Sequence, residues 1–207
     1  MLDLMNEKEQ FAAGHQFIGG VDEAGRGPLA GPVVAACVVI GSDFVIEGEL
    51  EKVMDSKKLS AKKREELYKL IREKALAVEI GVVSPKIIDK INILQASLLA
   101  MKKAAEGCKI VPDYLFIDGK FKIPKISTAQ SAVIGGDGKV FCIAAASIIA
   151  KVARDWLITD EAKKYPEYQF EKHKGYGTAL HLAKLKEFGP CPIHRQTFAP
   201  VKDLLKK

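Results

Sequence analysis

Four acidic residues lie where apolar, strand-like segments give way to glycine. They are Asp22, Glu23, Asp118 and Asp137. Carboxylates gathered within a few ångströms repel one another by roughly several kcal/mol in total at an effective dielectric of about 20, so they raise each other's pKa or bind cations. All-oxygen ligands suit Mg²⁺ or Mn²⁺, and these motifs contain neither cysteine nor histidine. Two such ions roughly 3.5–4 Å apart can cleave a phosphodiester, because one activates a water and the other stabilises the leaving oxygen.

Closely spaced glycines follow the first acidic pair. Phe17-Ile18 and the apolar run Val33 to Ile40 predict strands on either side of this segment. Alternation along a strand sends Asp22 and Glu23 to opposite faces, so both reach one site only where the strand ends, bulges or twists. Glycine tolerates positive φ, and the backbone of Gly25-Arg26-Gly27 could cradle an anion. The alternative is a hairpin turn with two solvated acids.

A polar stripe runs along the apolar segment from Phe141 to Ile158. Ser147, Lys151 and Asp155 follow one another at four-residue steps, which places them on one face of a helix. The other faces are apolar, so we expect this helix to pack on a sheet. Lys151 and Asp155 could form a pair within the helix, or Ser147 and Lys151 could point toward the acids or their substrate. For Asp155 we favour a structural role.

The segments between these motifs alternate between strand and helix. Ser60 is typical of an N-cap for a helix over Ala61 to Lys74, and a second helix is predicted from Asn92 to Glu106, ended by Gly107. The alternation predicts an α/β layered fold. In such folds, sites form at the carboxyl ends of strands, where Asp118 lies, although an Asp-Gly turn explains that residue equally well.

Composition limits the class of protein. With 207 residues, 48% hydrophobic and 28% charged, the chain can form one large domain or a core with a small appendage. A net charge of +6 favours a polyanionic partner. The four cysteines are scattered, so we expect neither a zinc site nor a disulfide framework. The chain has no apolar stretch of membrane length, and its charged beginning is unlike a secretory signal, which predicts a cytoplasmic protein without a membrane partner.

Six motifs, in this order, resemble those of the ribonuclease HII family. They are Gly20 to Pro32, Asp55 to Ser60, Leu115 to Gly119, Gly136-Asp137, Ala145 to Asp155 and His173 to Thr178. The resemblance covers the chain from about residue 17 to residue 205. It implies a ribonuclease H-like α/β core, with a mixed five-stranded sheet flanked by helices, and a C-terminal helical extension. We therefore expect a catalytic core over residues 16–165 and a substrate-binding extension over residues 166–207.

The resemblance also implies roles for individual residues. The metal-binding catalytic carboxylates would be Asp22, Glu23, Asp118 and Asp137, holding a two-ion site for Mg²⁺ or Mn²⁺. The backbone element that senses a 2′-hydroxyl at an RNA–DNA junction would be Gly25, Arg26 and Gly27. This is consistent with the chemistry, because a 2′-hydroxyl both donates and accepts hydrogen bonds. Further substrate contacts would come from Lys58, Ser147 and Lys151.

Tyr176 matches the tyrosine that packs on the sugar beside the junction in this family. Without the resemblance, an aromatic that fastens the Gly175–Gly177 turn to the body would be the better interpretation. Basic residues interleaved with aromatics beyond residue 165 suit contacts to phosphate and sugar. Within that segment, we expect His194 to be structural or to contact phosphate rather than to act as a general base.

The function implied by the resemblance is that of a metal-dependent endoribonuclease. It would hydrolyse the RNA strand of RNA/DNA hybrids and nick 5′ of single ribonucleotides in duplex DNA, leaving 3′-hydroxyl and 5′-phosphate ends, as in ribonucleotide excision repair and RNA primer removal. We expect a monomer. The tail ends at Lys206-Lys207 without a short clamp-binding extension, which makes a sliding-clamp partner doubtful.

Two other functions remain open from the sequence. The same core occurs in resolvases and other acid-dependent nucleases that act on structured DNA, and these would not require a 2′-hydroxyl. A basic nucleic-acid-binding module could keep the fold without the chemistry. It would bind in a salt-dependent way but would not cleave.

Overall fold

A mixed sheet with helices on both faces forms the centre of the molecule. The structure, a computed structural model, describes residues 2–53 and 59–206. The strands are β1 (Ile18–Ala24), β2 (Val33–Ile40), β3 (Ala77–Val83), β4 (Tyr114–Asp118) and β5 (Ala129–Val133). The α-helices are α1 (Met5–Ala12), α2 (Ala61–Lys74), α3 (Pro85–Ile91), α4 (Ile93–Gly107), α5 (Phe141–Lys164), α6 (Phe170–His173), α7 (Ala179–Phe188) and α8 (Val201–Leu204). Of these described helices, none has the length and apolar character needed to cross a membrane.

The sheet order is β3-β2-β1-β4-β5. β1 pairs with β2, and β2 with β3, in antiparallel fashion, whereas β1 and β4, and β4 and β5, run parallel. This confirms the predicted mixed five-stranded sheet. The carboxyl ends of β1 and β4 therefore meet at one edge of the sheet, where a site can form.

Two apolar layers hold the sheet, and β2 contributes to both. All eight residues of β2 are buried. Ala36, Val38 and Ile40 pack in the layer that includes α2 and α5, while Val33, Ala35, Cys37 and Val39 pack in the layer that includes α4. A strand covered on both faces has to be continuously apolar, which explains the run of β-branched residues read from the sequence.

Helix α5 lies directly on β1, and a glycine allows this approach. A Cβ atom at Gly20 would lie 2.1 Å from the carbonyl carbon of Cys142, in the first turn of α5. The amide of Cys142 donates a 2.9 Å hydrogen bond to Oε1 of Glu7, a buried residue that is distant in sequence. The close packing fixes α5 relative to Asp22, two residues after Gly20.

Most predicted elements agree with the structure. The Oγ atom of Ser60 accepts a hydrogen bond from the amide of Lys63, so Ser60 is the N-cap of α2. Helix α4 includes Gly107, one residue beyond the predicted end, and its cap is Cys108.

The segment after α5 packs back on the core. Its buried residues Tyr168 and Phe170 form an apolar cluster with Ala30, which follows β1, and with Ile158 of α5. Two backbone hydrogen bonds add to this contact, from Leu29 to Gly175 and from Gly31 to Ile193. Where the chain divides into a core and an extension stays a prediction.

Candidate nuclease active site

The first acidic pair lies at the end of β1. The register between β1 and β2 is unbroken through Ala24, so the strand reaches its end without a bulge, whereas its pairing with β4 stops at Val21. Asp22 is 7% exposed, and its Oδ1 atom accepts a 2.6 Å hydrogen bond from the amide of Glu23. Both carboxylates line the same cleft at this edge of the sheet.

Asp118 and Asp137 are brought together by one hydrogen bond. Asp118 is the last residue of β4, and its Oδ1 atom accepts a 2.7 Å hydrogen bond from the amide of Gly136. Gly136 begins a 3₁₀ turn, Gly136–Gly138, that carries Asp137. This bond fixes the turn against the end of β4, so Asp137 also lies on the cleft.

The cleft has a volume of about 380 Å³ and collects nearly every predicted site residue. The predicted residues that line it are Asp22, Glu23, Gly25, Arg26, Gly27, Asp118, Asp137, Ser147, Lys151 and Tyr176. Lys58, the remaining one, lies outside the described residues, as does most of the motif Asp55 to Ser60. Residues from five separate parts of the chain thus meet in one place.

The electrostatics of the cleft are those expected of crowded acids. Burial raises the pKa of Asp22 well above its ordinary value, and the charges of Glu23, Asp118 and Asp137 raise it further. Burial also raises the pKa of Glu23, although Arg26 opposes this shift with a hydrogen bond of 3.1 Å between Nη1 and Oε1. A cation at the acids would relieve the repulsion and favour their charged forms.

The donor atoms fit a hard divalent cation by their chemistry. Every acid on the cleft offers carboxylate oxygens, and no histidine or cysteine side chain of the described residues lines it. Their arrangement is not a closed cage, because within residues 2–53 and 59–206 no three acidic, histidine or cysteine side chains converge on one ion position. Asp22, Glu23 and Asp118 each use one oxygen in a hydrogen bond to the protein.

Both interpretations that the sequence left open for the polar stripe of α5, a pair within the helix and side chains directed toward the acids, agree with the structure. Nζ of Lys151 donates a 2.7 Å hydrogen bond to Oδ1 of Asp155, so the pair within the helix exists, and Lys151 also lines the cleft. Ser147 lines the cleft too, with its hydroxyl donating to the carbonyl of Ala144. Asp155 holds Lys151 and is not among the lining residues, which is consistent with the structural role favoured for it.

Tyr176 presents its ring to the cleft. It is 43% exposed, and the Nζ atom of Lys151 and the guanidinium of Arg154 each lie 5.8 Å from the ring centre. A Cβ atom at Gly27 would lie 3.9 Å from Cε1 of Tyr176, so the glycine backbone and the ring face each other. The turn around Tyr176 is also fastened to the body, by the hydrogen bond between Leu29 and Gly175.

Three buried histidines support the turn of Tyr176 from behind. The amide of Cys191 donates to Nδ1 of His194, which leaves Nε2 of His194 to donate across 3.0 Å to Nε2 of His181. His181 in turn donates through Nδ1 to the carbonyl of Tyr176. The ring of His173 stacks on the ring of His181, with the ring centres 4.3 Å apart. His194 is thus a structural residue, one of the two roles expected for it.

Two buried arginines at this site were missed by sequence reasoning. Arg154 and Arg195 are both fully buried. The sequence analysis gives neither a role of its own: Arg154 lies within the motif Ala145 to Asp155, and Arg195 within the basic segment beyond residue 165. The one usable signal was an arginine within the apolar helix α5, because arginine is almost never fully buried unless it is paired.

The fold and the cleft define a class of protein, a nuclease built on a ribonuclease H-like sheet. Comparison with known proteins agrees. The family model for ribonuclease HII matches residues 19–201. A ribonuclease HII from Endomicrobium trichonymphae is 50% identical over 201 residues, which cover 97% of this chain and 94% of the relative.

Solved structures give the same result. The ribonuclease H2 from Pyrococcus horikoshii OT3 is 29% identical with a TM-score of 0.76, covering 92% of this chain and 97% of that one. Ribonuclease HII from Archaeoglobus fulgidus, solved as a complex with PCNA, is 31% identical with a TM-score of 0.67, over 88% and 95% of the two chains. Bst-RNase HIII in complex with Mn²⁺ shares the fold at 16% identity and a TM-score of 0.67, over 92% of this chain and 70% of that one.

The chain therefore belongs to the ribonuclease HII family. It is an endoribonuclease, and the activity of this family is the ribonuclease H reaction on RNA/DNA hybrids.

Proposed function

We propose that this protein is a metal-dependent endoribonuclease that cuts the RNA strand of hybrids and also nicks 5′ of a single ribonucleotide in duplex DNA. The products would carry 3′-hydroxyl and 5′-phosphate ends, as needed for ribonucleotide excision repair and RNA primer removal. One observation supports this most directly. Crowded carboxylates, a glycine-opened backbone and an exposed tyrosine line the same cleft.

Asp22, Glu23, Asp118 and Asp137 are the residues that would hold Mg²⁺ or Mn²⁺. Bound divalent ions activate water and stabilise the leaving oxygen of a phosphodiester. The protein's own contribution is to fix the acids before substrate arrives. The hydrogen bonds that Asp22 and Asp118 accept from backbone amides orient these two carboxylates, and burial raises the pKa of Asp22, so the site favours a compensating cation.

The backbone of Gly25, Arg26 and Gly27 would detect the 2′-hydroxyl. A hydroxyl donates and accepts hydrogen bonds, so peptide groups can recognise it without reading the base. Gly25 has φ +99°, a backbone conformation that residues with a side chain rarely adopt. The ring of Tyr176, facing Gly27, would pack on the neighbouring deoxyribose, where an added hydroxyl would interfere. Together these two elements would recognise a ribonucleotide followed by DNA.

Positive groups around the acids would hold the phosphates. Arg26 is exposed while paired with Glu23, and Lys151 is held by Asp155, so both can reach a phosphate without leaving the cleft. Ser147 lies on the same helix face as Lys151. Lys58 stays a prediction. Contacts of this kind carry most of the affinity for nucleic acid and make binding dependent on salt.

We also propose that the protein acts as a monomer in the cytoplasm and requires no sliding clamp. The relative from Archaeoglobus fulgidus was solved with PCNA, so binding of a sliding clamp by this chain is a separate question. Gel filtration with and without a purified clamp would answer it.

The test uses three duplexes with a labelled strand. One contains a single ribonucleotide, one an all-RNA strand paired with DNA, and one only DNA. We expect cleavage of the first two in Mg²⁺ or Mn²⁺, none in chelator and none of the DNA duplex. The single nick should fall immediately 5′ of the ribonucleotide. Cleavage of the all-DNA duplex would favour a structure-specific DNA nuclease, and salt-dependent binding without any cleavage would favour a binding module.

A further inference from the structure

Two buried guanidinium groups lie behind the loop that would sense the 2′-hydroxyl. Arg154 comes from α5 and Arg195 from the segment between α7 and α8, and both side chains are 0% exposed. In the described part of the chain, neither forms an ion pair with a carboxylate. Each binds backbone carbonyl oxygens instead, and most of these belong to residues 25–32.

Arg195 donates hydrogen bonds to both ends of the loop formed by residues 25–32. Its Nη2 atom donates to the carbonyls of Gly25 at 2.5 Å and Pro32 at 3.3 Å, its Nη1 to that of Arg26 at 2.9 Å, and its Nε to that of Gly31 at 3.0 Å. The amide of Arg195 also donates to the carbonyl of Leu29. One side chain with a rigid planar donor fork thus fixes the loop at several points.

Arg154 joins the same loop to the turn of Tyr176. Its Nε and Nη2 atoms donate to the carbonyls of Pro32 and Ala30, and its Nη1 atom donates to the carbonyl of Lys174, two residues before Tyr176. The contact with the loop is tight. A Cβ atom at Gly25 would lie 2.2 Å from Nε of Arg154.

The arrangement is costly in stability, which suggests a purpose beyond filling space. Burial and, after it, the nearby charge of Arg154 lower the pKa of Arg195 to about 9. Burial lowers the pKa of Arg154 as well. Removing a charge from water is costly, and an apolar side chain of similar volume would avoid that cost. What the apolar side chain would lose is the set of directed bonds to the loop carbonyls.

Those bonds determine where the loop's amides point. A peptide unit is planar and trans, so its carbonyl and its N–H point in opposite directions. Because the carbonyls of Gly25 and Arg26 point at Arg195, the amides of Arg26 and Gly27 point away from it. Both of these residues line the cleft.

We propose that Arg195, assisted by Arg154, is a positioning residue that sets the amides of Arg26 and Gly27 for recognition of the ribonucleotide. The two arginines form a carbonyl clamp, defined as the hydrogen bonds from both guanidiniums to residues 25–32 and Lys174. The inference rests on the proposed function. It adds that selection of the scissile bond depends on two residues that do not touch the substrate.

The test measures where the enzyme cuts, because the distribution of cuts does not depend on how much enzyme is folded. The substrate is duplex DNA with a block of four ribonucleotides in one strand. The wild-type protein should place most cuts at one bond beside the RNA–DNA junction. Arg195→Lys keeps the charge but not the planar fork, so the cuts should spread over the block and the junction fraction should fall several-fold.

A second substrate tests the same point by rate. In a uniform hybrid every nucleotide offers a 2′-hydroxyl, whereas a single ribonucleotide offers one. For Arg195→Lys, kcat/KM on the single ribonucleotide should therefore fall at least tenfold more than on the uniform hybrid. Arg72→Lys is the matched control, since Arg72 lies over Tyr68 on α2 and contacts neither the loop nor the cleft. It should behave like the wild-type protein in both assays.

Each outcome bears on the proposal. If Arg195→Lys does not purify as a folded protein, Arg154→Lys is used, because it loosens the same loop at Ala30 and Pro32. A wild-type cut distribution in the folded variants, whatever their rate, would overturn the clamp, as would failure of both variants to fold. A wild-type protein that itself spreads its cuts would instead refute junction sensing and the proposed function.

Discussion

The two walls of the cleft are built in different ways. The acidic wall comes from the ends of neighbouring strands, β1 and β4, and a short turn bonded to them, so nearby secondary structure positions its carboxylates. The second wall is formed by the loop of residues 25–32 together with Tyr176, and among the described residues this loop joins a β-type pairing only through a single bridge from Ala30 to His194. It is held by side chains far away in sequence, with Gly25 and Arg195 separated by 170 residues. Under the proposed function, the residues that carry the chemistry lie on the rigid framework, and those that recognise the ribonucleotide lie on a loop that needs support from the rest of the chain.

Loss of an acid should break the first wall and give the largest effect. Asp22→Asn should lower kcat by on the order of 10³-fold, since metal-bound charge stabilisation is worth several kcal/mol and each 1.36 kcal/mol is about tenfold in rate. Burial and the neighbouring acids raise the pKa of Asp22, so its charged form opposes folding and the variant should melt at the same or a higher temperature at pH 8. Single-turnover kinetics and thermal melts would measure both.

Asp160→Asn is the control for this prediction. Asp160 is an exposed acid on α5 that pairs only with Lys163 among the described residues, and it should retain the wild-type rate. A near-normal rate for Asp22→Asn would remove that carboxylate from the mechanism.

A methyl group added at Gly25 should displace the loop of the second wall and leave the carboxylates of the first wall in place. Gly25→Ala forces a side chain into a backbone with φ +99° and directs its Cβ at Nε of Arg154, 2.2 Å away, so the loop has to move. We expect kcat/KM on a single ribonucleotide to fall by about 10- to 100-fold, as is typical for a small misplacement of a bound group. Gly48→Ala separates clash from strain, because Gly48 also has positive φ but has open space around it. Equal activities of the two variants would rule out the steric explanation.

Low pH should lower the free energy of unfolding through the buried histidines behind Tyr176, and this is the smallest effect that we expect. Burial lowers the pKa of His181 and of His194 to about 4, from an ordinary value of 6.5; the charge of His173 contributes to the shift of His181, and the charges of His181 and His173 contribute to that of His194. The unfolded chain therefore binds more protons between these values, so the histidines' contribution to stability is complete above about pH 6.5 and is lost as the pH falls toward 4. Denaturant melts over this range should show a shallower pH dependence in His194→Asn than in the wild-type protein. An identical slope would mean that His194 titrates normally.

The acidic wall could be predicted from sequence to a useful degree. Strand ends followed by glycine identified Asp22, Glu23 and Asp118 as acids with access to one sheet edge, and the fold class followed from the alternation of elements. Asp137 was also a candidate, as the acid of a glycine-rich turn, but a turn residue has no periodicity that could place it at the sheet edge. The structure brings all four to one cleft.

The second wall could not be predicted in the same way. The partners of Arg154 and Arg195 are backbone carbonyls, and every residue type has a carbonyl, so no residue pattern marks the contact. His173, His181 and His194 likewise meet only after the segment beyond α5 folds back. Strand and helix patterns are local, whereas these contacts depend on tertiary packing.

The separation of Gly25 from Arg195 also orders events during synthesis. The ribosome makes the loop 170 residues before it makes the arginine that holds it. Over that interval the sheet can assemble its acids, since β1, β2 and β4 are made early, but the amides of Arg26 and Gly27 still lack Arg195. If the proposed clamp sets these amides, a nascent chain cannot select a cleavage site until its C-terminal segment has been translated and has docked.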